Sequence, residues 1–154
     1  MNPVMMALMP WVRQGYCCGQ LLTLLMLQAM ERENPDLVCA AGGLCHGLGH
    51  SDGPCGLLTS GAMALALAAG TAQDGVSPHP MRTPVIHEYA AWFYERVASY
   101  GGLRCSQIAR GLGAGSGQQG EEPNPVACGE LLAECWEKML ELVQNYVLDL
   151  SRET

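Results

Sequence analysis

Helix punctuation divides this chain before any single side chain is considered. At Asn34-Pro35, Thr83-Pro84 and Asn124-Pro125 a residue able to cap a helix stands before a proline, whose fixed φ suits the first helical position. Gly42-Gly43 and Gly101-Gly102 stand where helices must stop. Between these marks apolar residues recur at spacings of three and four, and no run of alternating β-branched residues offers a strand. The expectation is one all-α domain over residues 1–154, an antiparallel bundle of about four main helices with short helices and a Gly-rich loop.

The first long helix is expected from Gln14 to Arg32, with Leu21, Leu22, Leu25, Met26 and Met30 as its apolar stripe. A short helix follows from Pro35 to Ala41, and Gly42 to Gly56 reads as a Gly-rich loop carrying Cys45, His46, His50 and Cys55. Leu57 to Ala69 is expected as a core helix, because Gly61 and its alanines let another backbone approach closely. After a polar connector, Ile86, Tyr89, Ala90, Phe93, Val97 and Tyr100 mark one face of the next helix. Leu103 to Leu112 is a short helical segment, Gly113 to Pro123 a surface loop, and the last helix runs from Asn124-Pro125 to near Leu150.

A chain of 154 residues needs neither metal nor disulfide merely to hold a core. Its net charge of -7, with no basic cluster, argues against a nucleic-acid backbone or an anionic membrane as partner. The uncharged stretch from Gly53 to Thr71 is rich in small residues and short for a bilayer span, so no membrane insertion is expected. Met1-Asn2-Pro3 lacks the positive region of an export signal, which points to a reducing cytoplasm. There, cysteines read as metal-binding or redox-active before they read as a disulfide framework.

The eight cysteines do not form one local motif. Cys18, Cys55, Cys105 and Cys128 each fall on a different predicted helix or helix start, so only folding can gather them. Free backbone N–H groups at a helix start favour thiolate, an argument strongest at Cys55 and extending to Cys105 and Cys128, whereas Cys18 is expected to approach from the interior of the first helix. Cys45, His46 and His50 have ligand chemistry and are possible additional members of such a site, with Cys45 foremost. Cys17 should diverge by about 100° from Cys18 on a helix. Cys135 lies two turns beyond Cys128, and Cys39 is expected to pack in the core.

Around these positions the sequence resembles a known family of redox-active proteins, C_GCAxxG_C_C, designated after its pattern of four cysteines. Gly15-Tyr16-Cys17-Cys18-Gly19-Gln20 is similar to the family's opening Gly-x-x-Cys-Ala-Gln helix, and Cys55-Gly56-Leu57-Leu58-Thr59-Ser60-Gly61-Ala62 to its Cys-Gly-Ala-x-x-Gly segment. Cys105 and Cys128 match the last two cysteines by order and spacing. Leu57 stands for the family's Ala and Ser60 for its Gly, and Cys17, Cys39, Cys45 and Cys135 are additions to the pattern. The resemblance implies a redox-related helical protein with Cys18, Cys55, Cys105 and Cys128 as sulfur ligands, and no defined reaction.

Three functions remain open. Four cysteines from separate elements can hold an iron–sulfur cluster for electron transfer with a redox partner protein, which ranks first. Zinc ranks lower because no local Cys-x-x-Cys pair exists, and a cofactor-free thiol–disulfide oxidoreductase needs only two sulfurs close enough to bridge. The third is a non-catalytic helical subunit whose cysteines only pack.

Overall fold

A computed structural model describes residues 2–113 and 125–152. All regular structure among these residues is helical, apart from two isolated bridges, Pro54 to Arg104 and Thr71 to Pro78. The helices are α1 (Pro3–Arg13), α2 (Cys18–Ala29), α3 (Pro35–Ala41), α4 (Gly56–Ala69), α5 (Arg82–Arg96), α6 (Cys105–Gly111) and α7 (Pro125–Asn145). Short 3-10 turns occupy Gly42–Leu44 and Ala98–Tyr100.

Three expectations are corrected here. The helix expected over Gln14 to Arg32 is two elements, because Gly15 at φ +90° breaks the chain after Arg13 and a new helix starts at Cys18. The start is fixed by Gln20, whose side-chain oxygen accepts from the Cys17 N–H at 3.2 Å while its amide donates to the Val38 carbonyl at 3.1 Å. The last helix ends at Asn145 rather than near Leu150, with Val147 at φ +54°. Cys39 is exposed rather than in the core, because α3 turns Val38 and Ala41 inward and position 39 faces away. Beyond Gly113, the loop expected to Pro123 lies outside the described residues.

The core is organised around α4, which packs on α2, α5 and α7, while α7 also packs on α2 and α5. Small residues make this approach possible. A Cβ on Gly19 would lie 3.1 Å from the Ala41 carbonyl oxygen and 3.5 Å from the Ser60 Cβ, so α2 and α4 meet almost backbone to backbone. The two buried hydroxyls of that interface, Thr23 and Ser60, donate to carbonyls four residues back, on Gly19 and Gly56, and leave no donor unpaired. On the other side, Tyr89 is fully buried against Gly61 and donates to the Leu57 carbonyl at 2.7 Å. Leu21, Leu22, Leu25, Met26 and Met30 are all buried, as their spacing predicts.

Polar ties close the ends. Arg96 on α5 grips Glu134 on α7 with two hydrogen bonds, at 2.5 and 3.2 Å. Arg152 donates to the Leu67 and Ala68 carbonyls, two of those that α4 leaves bare at its C-terminus. Among the described residues no helix is long and apolar enough to cross a membrane.

Candidate functional site

The Gly-rich loop is more ordered than its composition suggests. From Cys45 to Leu48 it makes a single turn with helical hydrogen bonding, closed by the Gly49 N–H on the Cys45 carbonyl at 3.0 Å. The turn has the wrong hand: His46, Gly47, Leu48, Gly49 and His50 all have positive φ, between +52° and +69°. Each non-glycine residue there costs about 1–2 kcal/mol. Glycine is needed at 47, where a Cβ would press into the Gly53 backbone and within 3.0 Å of the Cys105 Cβ.

A short stitch then joins this loop to the start of α6. The Cys55 N–H donates to the Leu103 carbonyl at 2.7 Å, and the Cys105 N–H donates to the Gly53 carbonyl at 3.0 Å. Asp52 caps α6 from across the chain, accepting from the Ser106 N–H and hydroxyl, both at 2.9 Å. Those two donors hold the Asp52 carboxyl below its usual pKa. The segments carrying Cys55 and Cys105, fifty residues apart in sequence, are thereby tied together through the Pro54–Arg104 bridge.

Cys18, Cys55, Cys105 and Cys128 line one cavity of about 340 Å³, with an apolar wall that includes Leu8, Ile108 and Leu132. All four come from helix starts: Cys18 is the first residue of α2, Cys55 immediately precedes α4, Cys105 is the first residue of α6 and Cys128 lies in the first turn of α7. The expectation that Cys18 enters from a helix interior is corrected by the break at Gly15. Cys18 has its pKa drawn down by the nearby backbone N–H groups of His46 and Gly19, against a larger rise from burial. Gly56 keeps space for it: a Cβ there would lie 2.9 Å from the Cys18 sulfur and 2.9 Å from the Leu44 carbonyl oxygen.

The electrostatics join the four into one group. Burial raises the pKa of each thiol, outweighing the N–H donors at Cys18 and Cys55. Cys105 is pushed up to about 11 and Cys128 to about 12, by burial first and then by the nearness of Cys18. Cys18 is the second-largest influence on Cys55 as well, and Cys105 acts on both Cys55 and Cys128, so the four thiols feel one another. Cys135 is fully buried, outside the cavity lining and close to the Tyr89 hydroxyl, with its pKa raised to about 12 by burial.

The raised values have a testable sign. Below the ordinary thiol range, about 8.5, these groups are protonated in both folded and unfolded chains and their full contribution to stability is present. As pH rises through the folded values of about 11 and about 12, the unfolded chain has already ionised and that contribution is lost. Thermal melts of reduced, metal-free protein should therefore show Tm falling above pH 9, with a shallower fall in a Cys105→Ala, Cys128→Ala variant. Equal slopes for the two proteins would contradict this placement of the thiols.

Of the possible additional members, His46 lines the cavity and His50 stacks on it from outside, ring centroids 4.0 Å apart. Cys45 is buried and forms a disulfide with Cys17, their Cα atoms 5.9 Å apart, within the span a disulfide bridges. Cys17 also lines the cavity. The helical divergence expected between Cys17 and Cys18 does not apply, because Cys17 is an extended residue preceding the helix. Among the described residues no group of three or more His, Cys, Asp or Glu side chains is arranged around a single metal ion. The four thiols still suit a polynuclear centre chemically: they are soft donors, set at helix starts around a space far larger than one ion.

Asp52, Ser106 and Gly56 were not singled out by sequence reasoning. The first two form a hydrogen bond across 54 positions, and such a pairing leaves no local signal. Gly56 was read only as part of the Cys-Gly segment, and its close approach to the Cys18 sulfur is set by tertiary packing.

No curated protein and no solved structure matches the chain. A family model described as "Putative redox-active protein (C_GCAxxG_C_C)" matches residues 16–142, a stretch that takes in Cys18, Cys55, Cys105 and Cys128. The likeness carried by the segments around Cys18 and Cys55 thus extends over most of the sequence, and the chain belongs to the C_GCAxxG_C_C family.

Proposed function

We propose that this chain is a small electron-transfer protein in which Cys18, Cys55, Cys105 and Cys128 ligate an iron–sulfur cluster and a redox partner protein exchanges electrons with it. The observation that carries the reading is the convergence of four thiols, from four helix starts, on one cavity of about 340 Å³. When bound, the cluster supplies one-electron redox chemistry. The chain's own residues do the rest.

The nearby N–H groups of His46 and Gly19 favour the Cys18 thiolate. Leu8, Ile108 and Leu132 limit water around the sulfurs, which strengthens every charge interaction there. Burial opposes bare thiolates at all four positions, so a cationic occupant would relieve a cost built into the apo site. The same protonation makes these four poor nucleophiles and weakens a dithiol reaction among them. A reducing cytoplasm and an antiparallel order of α2, α4, α5 and α7 belong to this reading.

Protein purified without oxygen and reconstituted with ferrous iron and sulfide is expected to retain iron and acid-labile sulfide and to absorb in the visible range. Protein that stays iron-free and colourless would overturn the proposal. Replacing Cys55 and Cys105 together by Ser separates a site from mere packing: loss of iron with the helical circular dichroism intact supports the site.

A further inference from the structure

The Cys17–Cys45 disulfide stands apart from the four cavity thiols. Neither residue belongs to the four-cysteine pattern, yet the pair adjoins Cys18. Cys17 directly precedes it, and Cys45 opens the left-handed turn whose next residue, His46, lines the same cavity as Cys18. We propose that Cys17–Cys45 is a second redox centre, a two-electron thiol–disulfide couple that reacts with dithiols and governs access to Cys18 in the cavity.

The two sulfurs are unequal, which sets the direction of attack. Cys17 is half-buried and lines the cavity, whereas Cys45 is 5% exposed. A dithiol reductant therefore attacks through one thiolate at the Cys17 sulfur. The Cys17–Cys45 bond breaks, a mixed disulfide forms on Cys17, and Cys45 leaves as thiolate and takes up a proton. The reductant's second thiol then attacks its own sulfur in the mixed disulfide, releasing Cys17 as a thiol and the reductant as a cyclic disulfide. Two electrons and two protons have passed from the dithiol to the pair. An external disulfide runs the sequence in reverse.

Local geometry couples this step to Cys18. His46, Leu48 and His50 hold positive φ, a conformation that non-glycine residues keep only when their surroundings impose it. The disulfide is the covalent tie at the head of that turn, joining it to the start of α2. Once the tie is cut, the turn is free to relax toward ordinary backbone angles. His46 then withdraws from the cavity wall, and that side of the cavity opens.

The test uses the full chain in metal-free form, so it does not depend on whether a cluster binds. Protein is equilibrated without oxygen across a series of reduced-to-oxidised dithiothreitol ratios, then labelled with a thiol alkylator and mapped by peptide mass. Cys17 and Cys45 should gain label together at a single midpoint, while exposed Cys39 is labelled at every ratio. In time courses on either side of that midpoint, Cys18 should label severalfold faster once the pair is reduced. A Cys17→Ser, Cys45→Ser variant should show the fast Cys18 rate without reductant. If that variant does not fold, the wild-type time courses decide alone. Cys17 and Cys45 labelled under oxidising conditions, separate midpoints, or a Cys18 rate indifferent to the pair would overturn the proposal.

Discussion

Cys18→Ser protein, reconstituted without oxygen with ferrous iron and sulfide, will hold at most about one tenth of the iron bound by the unsubstituted chain, since disturbing even a metal's outer partners costs about tenfold or more. Replacing Cys55, Cys105 or Cys128 should cause a comparable loss, because all four thiols line the same cavity. Gly56→Ala should reproduce much of this loss with every thiol in place. Its methyl group would lie 2.9 Å from both the Cys18 sulfur and the Leu44 carbonyl oxygen, and the latter belongs to backbone that cannot swing aside. Cys39→Ser, on an exposed position, serves as the control and should bind iron normally. Iron and sulfide assays alongside far-ultraviolet circular dichroism separate loss of the site from loss of the fold. Full iron occupancy in Cys18→Ser would remove it from the ligand set.

Gly61→Ala should be the most destabilising single-methyl change in the core. Its Cβ would overlap the Tyr89 hydroxyl and the adjoining ring edge, and that ring has no free direction in which to retreat. Tyr89 is fully buried, packs against Trp92 and Phe93, and is pinned by its hydroxyl to the Leu57 carbonyl at 2.7 Å. Overpacking of this kind costs about 1–3 kcal/mol, which for a chain of this size is a fall in Tm of roughly 2–12 °C. Gly43→Ala is the matched control: nothing lies within 4 Å of its would-be Cβ, and its effect should stay within about 0.5 kcal/mol. A calorimetric Tm unchanged in Gly61→Ala would show that α4 and α5 are not held together by this contact.

Helix composition and the buried stripes were legible because they depend on neighbours three and four positions away. Leu22, Met26, Tyr89 and Phe93 are fully buried where periodicity places them. Helix boundaries were legible at Pro35 and Gly42, where the local chemistry is strong, and illegible at Gly15, where one residue at positive φ splits what periodicity alone reads as a continuous helix. The cysteines divided along the same line. That Cys55 and Cys105 stand at helix starts could be read from their flanking residues, but the pairing of their segments rests on backbone hydrogen bonds between residues 53–55 and 103–105. Periodicity carries no trace of such bonds. The Cys17–Cys45 disulfide was hidden for a related reason. The angular argument that separates neighbours on a helix fails for a residue in extended backbone, and the loop holding Cys45 adopts a handedness that composition does not encode.

The Arg152 cap on α4 carries a consequence for the order of events during synthesis. The helix on which α2, α5 and α7 all pack has two terminal carbonyls whose partner is encoded 84 and 85 positions downstream. At ribosomal rates of about 5–20 residues per second, that partner follows the end of α4 by roughly 4–17 s, long after a helix of this length could form. The central helix therefore spends its first seconds frayed at one end, and closure of that end belongs among the last steps of folding.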